Sequence, residues 1–151
     1  MKYTNEIIIN LPRVKMLEKM DNAENMKHWQ EGLQKYEMIG GTPGEEGAKM
    51  KLNYDMGKRK IEMIETIMKK NLPDEFHMTY DTIGVHNIQK NFFNEIDDNT
   101  TKWITETEFQ FSSFFMKVMG VFMPGMFKKQ SMKYLENFKA FAEEGKSVLN
   151  K

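Results

Sequence analysis

The feature that most constrains the fold of this chain is a change in the spacing at which apolar residues recur along it. Between residues 33 and 111 apolar and polar side chains alternate, whereas the segments on either side repeat at helical spacing. Alternation of apolar and polar residues with a period of two is typical of half-buried β-strands. The clusters of Gly, Pro, Asn and Asp that interrupt it indicate hairpins. The clearest strand carries four apolar residues on one side, namely Ala48, Met50, Leu52 and Tyr54. A sheet of consecutive antiparallel strands is therefore predicted.

The flanking segments supply a first strand and the helices. An isoleucine-rich strand is expected from Tyr3 to Leu11, and two short helices follow it before residue 33. After residue 111 the period becomes helical, and an apolar stripe from Phe127 to Ala142 predicts one long amphipathic helix that ends near Gly145. The order gives an α+β fold, a seven-stranded antiparallel sheet that must bury its apolar face on the long helix. The length suits one domain over residues 1–151.

Strand alternation also predicts which side chains face inward. Glu65 shares a face with Met63 and Ile67, so a carboxyl group is expected inside. The phase of residues 86–96 is ambiguous. We expect Ile88 and Phe92 to face inward there, with Asn87, Gln89 and Asn91 outward; the alternative is an internal polar stripe formed by the three amides.

Several local features, in their order and spacing, resemble one known superfamily over nearly the whole chain. They are Trp29 after the short helices, the loop Gly40–Gly47 leading into Met50, the Met56–Arg59 hairpin, Glu65 ahead of Ile67 and Pro73, and Leu135-x-x-Phe138-Lys139. The chain resembles the helix-grip fold of the START-like superfamily, also called SRPBCC. That superfamily includes birch-pollen-allergen-like, polyketide cyclase/dehydrase-like and coenzyme-Q-binding proteins and Hsp90 co-chaperone activators. The resemblance implies a curved sheet wrapped around the last helix, with a cavity for an apolar or amphipathic molecule and a glycine loop at its mouth.

Composition excludes several function classes. Lys+Arg and Asp+Glu number 22 each, so the formal net charge is zero. This balance does not favour a nucleic-acid-binding protein or a polybasic protein of the membrane surface, and no nucleic-acid partner is expected. Cysteine is absent, which fits a reducing compartment, and a cytoplasmic location is expected. The three histidines lack metal-ligand spacing, so neither a metal nor another cofactor is predicted. A monomer or weak homodimer is expected.

The fifteen methionines sharpen the expected cavity. Six lie between Met38 and Met78 and five between Met116 and Met132, on the sheet and helix segments that should face each other. Flexible thioethers suit an adaptable apolar wall, although they also fill gaps in ordinary cores. The predicted cavity residues are Trp29, Tyr36, Met38, Met50, Leu52, Tyr54, Met63, Glu65, Met78, Tyr80, Trp103, Thr105, Phe109, Met119, Phe122, Met126, Phe127 and Tyr134.

The predicted function is binding, with transport as a further role, of a small hydrophobic or amphipathic ligand such as a lipid, isoprenoid, polyketide or aromatic metabolite. One alternative is a cyclase or dehydratase, for which Glu65 is a weak catalytic candidate in the absence of a recognisable constellation. The other is a co-chaperone-like interaction module, which would combine a collapsed cavity with an exposed apolar patch.

The most apolar stretch, Phe114 to Phe127, is interrupted by Lys117, Gly120 and Pro124 and is too short to span a bilayer. It is expected to be a buried helix or a lid over the cavity, with membrane contact as the alternative and no stable membrane insertion. The N-terminal residues do not have the pattern of a signal peptide.

Overall fold

The part of the chain that the structure describes includes a seven-stranded sheet, two short helices after its first strand and a long C-terminal helix. The structure is a computed structural model that describes residues 1–114, 117 and 124–150. Its strands are β1 (Lys2–Ile9), β2 (Leu33–Gly40), β3 (Lys49–Asp55), β4 (Lys60–Asn71), β5 (Glu75–Thr82), β6 (Val85–Asp97) and β7 (Thr100–Phe111). Its helices are α1 (Arg13–Met20), α2 (Met26–Trp29) and α3 (Pro124–Glu144), with short 3₁₀ turns at Ala23–Asn25 and Val148–Asn150.

The sheet is an antiparallel meander closed by its first strand. The spatial order is β1-β7-β6-β5-β4-β3-β2, so β2 to β7 are joined by hairpins and β1 crosses over to pair with β7. The N-terminal ammonium of Met1 donates to the carbonyl of Phe109 at 3.1 Å and extends this pairing. The predicted α+β architecture is confirmed, including both short helices after the first strand.

The main core lies between the sheet and α3. Phe138 of α3 is completely buried and meets two indole rings edge-on, Trp29 at 5.2 Å and Trp103 at 5.4 Å between ring centroids. Leu135 and Ala142, on the same stripe of α3, are buried in this cluster as well. Burial of this stripe is what holds the amphipathic helix on the sheet.

The short helices close the gap between the two edges of the sheet. Met16 and Leu17 of α1 are buried in the main core, and Arg13 donates to the Phe93 carbonyl at 3.1 Å. Met26 of α2 packs in a second cluster with Leu33 and Leu52. This second cluster covers Leu52 completely, and the prediction that Leu52 lines the cavity is therefore wrong.

Helix α3 begins at Pro124 and ends before Gly145, as predicted. Gly145 has φ +69° and its N–H bonds the Phe141 carbonyl at 2.9 Å, a left-handed residue that terminates the helix. Among the helices in the described ranges, none combines the length and apolarity needed to cross a bilayer.

Candidate functional site

A cavity of about 840 Å³ lies between the inner face of the sheet and α3. Side chains from β2 to β7 form its floor, and Phe127, Tyr134 and Leu135 of α3 form its roof. The end of α1 and Gly44 of the glycine loop reach its rim. The fold therefore leaves between sheet and helix a space larger than core packing requires.

One row of side chains crosses the floor from β3 to β7. The strand register places Met50 beside Glu65, Glu65 beside Tyr80, Tyr80 beside Asn87 and Asn87 beside Phe109. All five line the cavity. Opposed residues of neighbouring antiparallel strands lie about 5 Å apart, so the middle three groups form one continuous polar strip with an apolar residue at each end.

The next row is also mixed. Ile67 pairs with Met78, Met78 with Gln89, and Gln89 with Thr107, and all four line the cavity. The amide of Gln89 donates to the side-chain carbonyl of Asn87 at 3.2 Å, and the amide of Asn87 donates to the Glu108 carbonyl at 3.2 Å. The side-chain carbonyl oxygen of Gln89 has no hydrogen-bond donor among the described residues.

The expected orientation of β6 is wrong. Asn87, Gln89 and Asn91 line the cavity, whereas Phe92 lies on the opposite face against the ring of His77 at 5.1 Å. Phe93 explains the inversion, because it shares the face of Asn91 and is buried beside Trp103. Burying Phe93 in the main core fixes the phase of the strand and turns the three amides inward.

Asn91 is a structural member of this polar set. Its side-chain oxygen accepts from the Trp103 indole N–H at 3.0 Å, and its amide donates to the Phe76 carbonyl at 3.0 Å. Both bonds are buried, so the asparagine satisfies two groups that would otherwise be costly to bury. Asn91 therefore orients Trp103 and is less free than Gln89 to meet a ligand.

Glu65 is the one acidic side chain buried in the floor among the described residues. It is only 8% exposed, and burial raises the pKa of its carboxyl group above the usual range. A hydrogen bond from the Tyr80 hydroxyl lowers the pKa in part. No Lys, Arg or His in the described ranges forms an ion pair with it. A carboxyl group so placed is ready either to donate as the neutral acid or to bind a donor as the anion.

Two tyrosines border Glu65. The Tyr54 hydroxyl donates to Gln30 at 2.6 Å, and the Tyr80 hydroxyl lies 3.6 Å from the Met78 sulfur and also faces Glu65. Burial raises the pKa of both phenols well above the ordinary value, and the charge of Glu65 raises it further. Both hydroxyls therefore stay protonated and act as neutral hydrogen-bonding groups.

The raised pKa of Glu65 predicts a pH-dependent stability. The folded protein keeps the Glu65 proton at pH values where the unfolded chain has lost it, so this stabilisation is complete below the unfolded pKa and is lost as pH rises through the folded pKa. Glu65→Gln cannot ionise and is expected to gain stability relative to wild type as pH rises from the unfolded-state pKa of glutamate, about 4.3, through the raised folded-state pKa of Glu65. The midpoints of urea denaturation of both proteins, determined across this range of pH, measure the difference in stability. Glu62→Gln, on the exposed face of β4, is the control, and parallel curves for Glu65→Gln and wild type would contradict the assignment.

A lysine bridges the rim between the glycine loop and α1. Lys70 Nζ donates to the Gly44 carbonyl at 2.6 Å and lies 2.9 Å from a carboxylate oxygen of Asp21. On the neighbouring edge, the hydroxyl of Tyr36 donates to Glu24. Asp21, Tyr36 and Gly44 all line the cavity, so these polar contacts cross its margin.

Most of the predicted cavity residues are brought together on its wall. They are Trp29, Tyr36, Met38, Met50, Tyr54, Met63, Glu65, Met78, Tyr80, Trp103, Thr105, Phe109, Phe127 and Tyr134. Met126 is not on the wall, because it lies on the outer side of the first turn of α3 and is 60% exposed. Met119 and Phe122 fall outside the described residues.

Sequence reasoning found only some of the polar side chains of the wall. Gln30, Asn87, Gln89, Asn91 and Thr107 all line the cavity but were not among the predicted site residues. The signal that could have found the amides is Phe93, whose shared parity with Asn91 makes the amide face the one that reaches the core.

Comparison with known proteins identifies the fold. No family model matches the chain, and no curated protein does. A conserved protein from Geobacillus kaustophilus superposes with TM-score 0.80 at 12% identity, with 97% of each chain covered. The Zhui aromatase/cyclase from Streptomyces sp. R1128 superposes with TM-score 0.77 at 11% identity, covering 95% of this chain and 93% of that one. Norcoclaurine synthase from Thalictrum flavum superposes with TM-score 0.72 at 12% identity, covering 95% and 94%. The predicted helix-grip fold is confirmed; at such identities the likeness concerns the fold alone.

Proposed function

We propose that this protein binds one small, largely apolar molecule in the cavity between the sheet and α3. The observation that carries the proposal is the cavity itself, about 840 Å³ in volume and walled by methionine and aromatic side chains around a few polar groups. Binding sites for small molecules commonly have about 300 to 1,000 Å³ and this mixture of walls. Burial of apolar ligand surface supplies the affinity.

The polar strip defines what kind of ligand suits the cavity. Glu65 and Tyr80 lie on one row, and the free carbonyl of Gln89 lies on the next. A ligand with a hydroxyl or amine donor at one position and apolar surface elsewhere satisfies this arrangement. Amphipathic lipids, isoprenoids, polyketides and aromatic metabolites have this character, and binding could serve their transport. The protein acts as a monomer or weak homodimer in this proposal.

Native mass spectrometry of protein purified from its own host tests the proposal. We expect a fraction of the protein to carry an extra mass, and organic extraction of that fraction to release the ligand. The ligand-free protein is expected to bind the neutral apolar dye N-phenyl-1-naphthylamine at about one site per chain, with enhanced fluorescence. A ligand-free spectrum together with no dye binding would overturn the proposal.

The Lys70 bridge is expected to slow ligand exchange. Lys70→Met removes the contacts to Gly44 and Asp21 at the rim and keeps the aliphatic stem, so the dye should dissociate about three- to tenfold faster. Stopped-flow dilution measures the rate. Lys69→Met is the matched control, because the adjacent Lys69 pairs with Glu75 away from the bridge. An unchanged rate in Lys70→Met would show that exchange takes another route.

A second candidate function is catalysis on such a ligand. Glu65 and Tyr80 favour it, since a carboxyl group with raised pKa beside a neutral phenol is a pair of titratable groups within one cavity. Two structural neighbours are named as an aromatase/cyclase and a synthase. If this chain is an enzyme, incubation should convert the extracted ligand to a product of different mass, and Glu65→Gln should retain binding but lose turnover. Intact recovery of the ligand from wild type would reject catalysis.

The co-chaperone-like alternative is less well supported. It requires a collapsed cavity, whereas the described residues enclose a space of about 840 Å³.

A further inference from the structure

Four exposed apolar side chains lie at one end of the sheet and form what we call the apolar rim. They are Ile83, Phe114, Met126 and Met56, which are 97%, 83%, 60% and 40% exposed. Met56 lies in the β3–β4 hairpin and Ile83 in the β5–β6 hairpin, Phe114 follows β7, and Met126 is in the first turn of α3. These four side chains place exposed apolar surface on several segments at one end of the molecule.

Contacts between these segments show that they share one end of the molecule. The Thr82 hydroxyl donates to the Glu62 carbonyl at 2.8 Å, which ties the β5–β6 hairpin to the start of β4. The Ser112 N–H donates to the Gly84 carbonyl at 2.9 Å, which ties the end of β7 to the same hairpin. The rings of Phe111 and Phe127 lie 6.0 Å apart and bring the start of α3 to this end.

Unpaired cations accompany the apolar rim. The basic rim consists of Lys58, Arg59 and Lys60 in the β3–β4 hairpin and Lys128 and Lys129 in α3, all exposed. None of the five forms an ion pair with a described residue. The acidic groups at this end are fewer: Asp55 accepts from the Gly57 N–H, Asp81 pairs with His86, and Glu62 is exposed.

The opposite end of the sheet carries several ion pairs, including Arg13 with Asp74 at 3.0 Å and Lys139 with Glu143 at 2.7 Å. The chain carries a formal net charge of zero, so the excess of positive charge at the apolar rim is offset by acidic residues elsewhere in the chain. Net charge alone conceals the asymmetry.

We propose that the end bearing the apolar and basic rims docks on an anionic lipid surface. Separate apolar side chains at loop tips can insert between lipid headgroups, and the flanking cations attract acidic lipids. A protein partner would favour a continuous apolar face, whereas the rim is divided among four segments. Met56, Thr82 and Val85 at this end also line the cavity, so docking brings the cavity wall to the lipid surface.

The docking proposal does not depend on the ligand proposal. Lipid-surface binding is measured with the ligand-free full chain, and it can succeed where dye binding fails or fail where dye binding succeeds. The two failures are therefore distinguishable.

Co-sedimentation with vesicles tests the docking surface. The protein is expected to bind phosphatidylcholine vesicles that contain about 30% phosphatidylserine at least tenfold more strongly than pure phosphatidylcholine vesicles. Raising the salt from about 0.1 M to about 0.5 M should reduce the binding strongly, because it screens the attraction.

Matched variants separate the two rims from general effects of charge and apolarity. Lys58→Gln/Arg59→Gln/Lys60→Gln should weaken vesicle binding at least tenfold, whereas the equal charge change in Lys15→Gln/Lys27→Gln/Lys90→Gln should alter it by less than about twofold. Ile83→Ser should weaken binding at least about threefold, whereas Ile96→Ser, at an exposed site on the opposite end, should leave it unchanged.

Three results would overturn the docking proposal. The first is absence of binding, or equal binding, with the neutral and anionic vesicles. The second is an equal loss in the two triple-substituted proteins. The third is a combined result in which Ile83→Ser binds vesicles as strongly as wild type does, while the protein binds heparin tightly and loses this binding when the basic rim is neutralised. That result would assign the basic rim to a soluble polyanion.

Discussion

Replacing Phe138 by alanine is expected to lower the free energy of unfolding by about 3 to 5 kcal/mol. The ring is completely buried and makes edge-to-face contacts with Trp29 and Trp103, so its removal leaves a void bordered by two indoles. Those indoles come from α2 and β7, and neither element can move in without breaking its own packing. The cost should therefore approach the upper end of the range for large-to-small substitutions.

Urea denaturation of wild type and Phe138→Ala measures this effect. Phe114→Ala removes the same ring from a site that is 83% exposed and should change the free energy of unfolding by less than about 0.5 kcal/mol. Phe138→Leu should recover a large part of the loss because it refills most of the volume. A loss below about 1 kcal/mol in Phe138→Ala would contradict the central place given to this ring.

Filling the cavity is expected to abolish binding without unfolding the protein. Met63→Trp adds an indole to the floor of the cavity, where the side chain of Met63 forms part of the wall. The larger group occupies space that a ligand would need, so the Kd for N-phenyl-1-naphthylamine should rise at least about tenfold. Fluorescence titration measures the change, and circular dichroism reports whether the fold is retained.

Met68→Trp provides the matched control. Met68 is on the same strand but is 57% exposed and absent from the cavity wall. The same substitution there should leave the Kd within about twofold of wild type. Equal Kd values for wild type and a folded Met63→Trp would place the dye elsewhere on the protein.

The fold could be predicted because its signals are local and agree with one another. The alternation around Met50 and Tyr54, the hairpin at Gly57 and the helical stripe through Phe138 each specify one element, and the order of elements leaves few ways to bury the sheet. The inward face of β7 could be predicted in the same way, since Trp103, Thr105 and Thr107 are all buried on it.

The cavity wall could be predicted only in part. Alternation shows which side chains of a strand share the inner face of the sheet, but it does not show whether other residues separate them from the cavity. Leu52 has the inward parity of Met50 and Tyr54, but the second cluster seals it from the cavity. Asn91 is inward because it bonds Trp103 and the Phe76 carbonyl, contacts that join residues far apart in the sequence. The polarity of Asn91 favoured the outer face of the sheet, but burying an amide costs little free energy when its groups have hydrogen-bond partners.

The pairing of β1 with β7 has a consequence for how the chain reaches its native state. Met1 lies 108 positions from its hydrogen-bond partner Phe109, so β1 is synthesised well before β7 and has no pairing strand until β7 has been made. Closing so long a segment is entropically expensive and slows folding. The isoleucine-rich β1 is therefore an unpaired strand, and so an aggregation hazard, until β7 is available, and its pairing with β7 completes the sheet.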